Sequence, residues 1–81
     1  MNKLNTYEDL KLSEYYILDN KQIGLLVDKE VVENLICMTF LLVFDPHKRY
    51  YYYNMPVDYL KIYLKPIDKN KVRDWLMVEN I

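Results

Sequence analysis

The stretch from Leu35 to Met55, LICMTFLLVF-DPHKR-YYYYNM, constrains the fold of this chain more than any other. An unbroken apolar run meets Asp45-Pro46, and an aromatic run follows almost at once. Asp-Pro presets the first two positions of a type I turn, because the proline ring fixes φ. Tyrosines favour the pleated, half-buried surface of a strand. The arrangement predicts a β-hairpin, and its partly polar return predicts that one arm lies more centrally in a sheet than the other. The apolar run is ten residues long, a rise of about 15 Å as a helix and half the thickness of a bilayer core. It reads as buried core and not as a membrane span.

Other segments add elements around this hairpin. NTYED, residues 5–9, offers a short helix start, with Thr6 as cap and Asp9 near the first-turn dipole. YYIL and IGLLV read as two strands around Asp19-Asn20, with Ile23, Leu25 and Val27 alternating. Gly24 within the second strand marks a bulge or a close backbone approach. DKEVVENLI, residues 28–36, has helical periodicity: Val31, Val32, Leu35 and Ile36 share a face, Lys29, Glu30, Glu33 and Asn34 share the other, and Asp28 caps. The rival is a tight turn at Asp28–Glu30 between strands, since Val31 and Val32 are β-branched.

DYLKIYLKP, residues 58–66, alternates, with Leu60, Ile62 and Leu64 one way and Tyr59, Lys61, Tyr63 and Lys65 the other. It is expected to be a half-buried strand ended by Pro66, although Val57, Leu60 and Leu64 also fit a helix. DKNKVRDWLMVEN predicts a C-terminal helix capped by Asp68, with Val72, Trp75, Leu76 and Glu79 on one face. The expected fold is a single α+β domain over residues 1–81: a small antiparallel β-meander of about three to five strands with short N-terminal and C-terminal helices.

A domain of 81 residues buries only roughly 60–65% of its unfolded surface, so its stability margin is thin. Such domains lean on a disulfide, a metal, a partner or dense packing. Cys37 is the only cysteine and His47 the only histidine. They can form neither an internal disulfide nor the four soft ligands of a structural zinc site. No metal and no cofactor are expected, which leaves packing or oligomerisation. Cys37, inside the apolar run, is expected to be a buried, inert core thiol. A reduced cysteine and the lack of an apolar h-region in MNKLNTYEDLKL point to the cytoplasm, with no membrane partner.

Residue usage is skewed: no alanine, one glycine and two arginines, against 31 lysines, asparagines, isoleucines and tyrosines. AT-rich codons produce that bias, and a small reading frame of this kind suits a virus or mobile element, whose product would act in the host cytoplasm. Net charge is −1, which argues against indiscriminate polyanion binding. The charge is segregated along the chain, however. Residues 1–36 carry four lysines against seven acids, residues 45–73 carry seven cations against three aspartates, and residues 74–81 add two acids.

The basic section is also the tyrosine-rich one. If residues 50–53 form a strand, Tyr50 and Tyr52 share one face and Tyr51 and Tyr53 the other. Should the 58–66 strand pair beside it, Tyr51, Tyr53, Tyr59 and Tyr63 would form an outward phenol surface flanked by Lys48, Arg49, Lys61 and Lys65. These eight residues are the expected partner-binding site. The plainer alternative is that tyrosine is the default large strand residue, its ring on the core edge and its hydroxyl in water. A dense exposed aromatic face usually touches something, however. Tyrosine gives large contact area for little lost rotamer entropy at protein interfaces, and beside Lys and Arg it also holds single-stranded nucleic acid.

Catalytic signatures are weak. His47 beside Lys48 and Arg49 could act as a general base in RNA cleavage, but it lacks a named partner acid and reads as a solvated tip residue. Ser13, the sole serine, lies in no nucleophile elbow, and a single glycine excludes a Gly-rich phosphate loop. Asp28, Glu30 and Glu33 read as a solvated acidic face. The expected function is therefore a small non-enzymatic protein-interaction module, an inhibitor or accessory factor acting on a larger protein or as a homodimer. A single-stranded nucleic-acid-binding protein is the alternative, and a toxin-like ribonuclease the third.

Overall fold

The computed structural model describes residues 7–79. Thr6, the expected first cap, and the side chain of Glu79 lie outside the described residues. A single 3-10 turn at Tyr7–Asp9 stands where the N-terminal helix was expected. Five strands follow: β1 (Tyr15–Ile17), β2 (Ile23–Val32), β3 (Leu35–Leu42), β4 (Arg49–Pro56) and β5 (Lys65–Ile67). Helix α1 (Leu60–Tyr63) precedes β5, and α2 (Lys69–Glu79) follows it. Every pairing is antiparallel, in the order β4-β3-β2-β1-β5. The first four strands form the meander. The chain then crosses from one edge of the sheet to the other, where β5 pairs with β1. The fold is a small α+β structure with its helices near the C-terminus.

The predicted hairpins close as their turn chemistry dictates. Between β1 and β2, the Asn20 side chain accepts from Gln22 N at 3.1 Å, and Lys21 takes a positive φ of 67°. Between β3 and β4, Lys48 N donates to Asp45 O at 2.9 Å, and the two side chains pair at 3.5 Å. Asp68 caps α2, accepting from Asn70 N at 2.7 Å.

Two segments depart from expectation. Residues 28–36 form no helix, and no turn falls at Asp28–Glu30. Instead β2 runs through Val32, and the turn is at Glu33-Asn34, with Glu33 at a φ of 59°. The β-branched valines prefer the strand, and pairing with β3 continues to Val32 opposite Leu35. The second departure is residues 57–63, which form a 3-10 turn and α1 in place of a strand. Leu60 and Leu64 are buried while Ile62 is exposed, so the period is four and not two. Pro66 sits within β5 and does not end a strand.

Cross-strand partners share a face, so the register sorts the side chains. Leu26, Phe40 and Tyr50 form one row, Met38 faces Tyr52, and Ile36 faces Met55. With Leu10, Tyr16 and Leu18, these side chains build the core, and Leu60 and Leu64 of the crossover close over it. Edge-on aromatic contacts run from Tyr16 to Phe40 to Tyr52, at centroid distances of 6.0 and 5.8 Å. Gly24 allows the close approach: a Cβ there would lie 2.8 Å from Phe40 Cβ. The bulge in β2 lies elsewhere, between Leu26 and Asp28.

Candidate functional site

The other side of the sheet is open at its β4 end. Tyr15, Leu25, Leu41 and Arg49 form one row across it, and Thr39 faces Tyr51. Burial on this side falls off toward β4: Ile23 is buried, Leu25 and Leu41 are half-buried, and Arg49 and Tyr51 are exposed. Cys37 belongs to this open side, alternating with the buried Ile36 and Met38. It is half-buried and not the core thiol expected of it. Its Sγ lies 3.7 Å from Asn54 Oδ1, at the bulge in β4 where the pairing shifts between Ile36 and Met38.

Tyr51 and Tyr53 dominate the β4 end of this face. Their rings stack at 5.9 Å with planes 7° apart, and they are 48% and 72% exposed. Val32, at 63% exposure, and Leu35 extend the apolar surface at the β2–β3 turn. The helical reading grouped both with Val31 and Ile36 on one face, whereas the strand pairing separates them from the buried Ile36.

Tyr50 and Tyr52 point the other way. Tyr52 is buried, and its hydroxyl donates to Asp19 Oδ1 at 2.5 Å. Desolvation, then the hydrogen bond to the Asp19 carboxylate, push its pKa well above the ordinary phenol value. Desolvation first and Asp19 second also raise Tyr50. Tyr16, buried near Glu14 and Asp9, is raised chiefly by desolvation, although its hydroxyl accepts from Lys11 N at 2.9 Å. These shifts belong to tyrosines on the core side of the sheet, Tyr16 and Tyr52 buried and Tyr50 partly buried. Asp19 was legible as a turn residue, but nothing in the linear pattern marked it as their acceptor.

Only part of the expected site comes together. Arg49, Tyr51 and Tyr53 share β4, with Lys48 at its start, its charge paired with Asp45. Tyr59, Lys61 and Tyr63 lie on the crossover, where Tyr59 and Tyr63 rings stand 6.3 Å apart. Because Leu60 and Leu64 pack on the covered face, this group lies on the opposite side of the molecule from Tyr51 and Tyr53. Lys65 is on β5, at the far edge of the sheet. Four inter-strand spacings separate the two edges, roughly 19 Å.

His47 is exposed in the β3–β4 turn. Among the described residues, no group of three or more His, Cys, Asp or Glu is arranged to hold a metal ion. Among the same residues, no helix is long and apolar enough to cross a membrane. Comparison of the chain with protein-family models, with curated proteins and with solved structures finds no match.

Proposed function

We propose that the protein is a small non-enzymatic interaction module, an inhibitor or accessory factor of viral or mobile-element type, that docks the open sheet face on a larger protein. The observation that carries this reading is the stacked, exposed Tyr51–Tyr53 pair at the uncovered end of a sheet whose other face carries the core. Rigid phenols, with Val32 and Leu35 beside them, supply the aromatic and aliphatic anchors typical of interface centres. Arg49 at one end and Glu33 at the other give the rim both signs of charge.

The charge distribution favours a protein over a nucleic acid. A single strand needs a cationic track beside its stacking platform. Here Lys48 is paired with Asp45, Lys61 lies on the opposite side, and Lys65 lies at the far edge.

Affinity capture from cell lysate with and without nuclease, followed by reconstitution with the purified captured protein, tests the reading. A protein retained after nuclease should bind Tyr53→Ala more weakly by about 2 kcal/mol or more, with the variant still folded. Loss of all bound material on nuclease treatment contradicts it and supports the nucleic-acid alternative. In that case Arg49→Ala should flatten the dependence of log affinity on log salt by about 0.7.

A further inference from the structure

We infer that β4 is the pairing edge of a homodimer: two copies join antiparallel through this strand, about a two-fold axis at Tyr51, into one continuous sheet. The two edges of the sheet differ in kind. β5 has three residues, one of them Pro66, which has no N–H, and it carries the exposed Lys65. Shortness, proline and lysine are the devices that blunt an edge. β4 has eight residues, including four successive tyrosines; its one proline, Pro56, closes the strand beyond the bulge, so Arg49–Tyr53 is free of proline, and among the described residues β4 pairs only with β3.

The hydrogen-bond pattern shows which groups that edge presents. Leu42 N donates to Lys48 O at 3.2 Å, whereas Val43 N donates to Ile23 O at 2.9 Å. Even-numbered residues of β3 therefore turn their backbone groups to β4, and odd-numbered ones turn theirs to β2. Tyr50 and Tyr52 sit opposite Phe40 and Met38 and turn inward. Arg49 and Tyr51 direct their N–H and C=O groups out of the sheet.

This edge is complementary to itself. With Tyr51 opposite Tyr51 of the second copy, Arg49 falls opposite Tyr53, and Tyr50 opposite Tyr52. No like charges face each other, and each guanidinium lies beside a phenol ring it can contact through cation–π attraction. Parallel pairing would instead set Arg49 beside Arg49. The strand is also polar along its length. Lys48 and Arg49 open it, while Asp58 and the Glu33 turn lie at its close, where Val57 N donates to Asn34 O at 3.1 Å. Antiparallel pairing places each basic end near the other copy's acidic end. The net charge of −1 adds little repulsion. Pairing stops at the Tyr53–Asn54 bulge, where Asn54 has a φ of 53°. The two-fold axis stands across the sheet, so both Tyr51–Tyr53 stacks emerge on the same side and merge into one larger aromatic surface.

Because the purified chain alone is measured, the outcome is independent of the protein-partner reading. Sedimentation equilibrium across the micromolar range and above should show a monomer–dimer equilibrium. Tyr51→Pro removes one outward N–H at a position where an edge strand tolerates proline, and Tyr51→Lys sets two cations together on the axis. Each should weaken association at least about tenfold, with circular dichroism and cooperative unfolding retained; if the proline variant does not fold, the lysine variant decides. Tyr51→Cys in a Cys37→Ser background should oxidise to a covalent dimer, since Cα atoms of such a pair lie about 5.5 Å apart. A monomer at the highest concentration overturns the inference. So does a dimer indifferent to the folded substitutions, or a Tyr51→Cys dimer that does not cross-link.

Discussion

Tyr51 and Tyr52 are adjacent and chemically identical, yet the pleat assigns them opposite tasks. Tyr52 packs edge-on against Phe40 and donates a hydrogen bond to Asp19, while Tyr51 stacks on Tyr53 on the exposed face. Tyr52→Phe should cost about 1.5–3 kcal/mol, the net worth of a hydrogen bond to a charged group; Tyr51→Phe should change stability by less than about 0.5 kcal/mol. Urea denaturation of both variants checks this. The pH dependence has a definite sign. Tyr52, Tyr50 and Tyr16 are all raised above the ordinary phenol value. Above about pH 10 the unfolded chain releases these protons while the folded chain keeps them. Their contribution is complete below about pH 10 and is lost as pH rises through the folded values. Stability should fall in that alkaline window, less steeply for Tyr52→Phe than for wild type. Cys37 makes a separate residue-scale prediction. Being half-buried on the open side, it should react with a thiol reagent in the folded protein, faster than global unfolding allows.

At the scale of elements, the β3–β4 hairpin was legible because Asp45-Pro46 and the tyrosine run are local signals that packing reinforces. Helix α2 was legible for the same reason, since Asp68 caps it and Val72 is buried one turn on. The β2 extension was not legible. Val31 and Val32 fit a helix face as well as a strand, and only pairing with Leu35 and Ile36 decides between them. The 57–63 segment was hidden for another reason: Leu60 and Leu64 satisfy both an alternating and a helical period, and Ile62 misleads. Within β3, apolar residues occupy both faces, which concealed the open side; the small or polar Cys37 and Thr39 on the odd positions were its only trace. Gly24 was read as a bulge or a close approach, and the close approach to Phe40 is what the fold contains. Gly24→Ala should destabilise the domain by about 1–3 kcal/mol, because Phe40 Cβ is tied to its backbone and the strands must shift. Thermal and urea unfolding check it.

At the scale of the whole molecule, most of the basic bias of residues 45–73 is carried away from the strand that holds the exposed tyrosine stack. The chain carries Lys61 across the covered face, Lys65 to the far edge and Lys69, Lys71 and Arg73 onto α2, while Arg49 shares β4 with the exposed tyrosine stack. What remains concentrated is an aromatic end of an open sheet face, bordered by an edge strand that nothing in the described fold covers. Surface and edge meet at Tyr51, whose ring serves one and whose backbone serves the other. Amide hydrogen exchange at Tyr51, measured residue by residue against protein concentration, tests this most directly. In dilute protein the Tyr50 and Tyr52 amides should be protected and the Tyr51 amide should exchange freely; at high concentration Tyr51 should become protected while the other two change little. A Tyr51 amide protected equally at all concentrations, or free at all of them, would contradict the account.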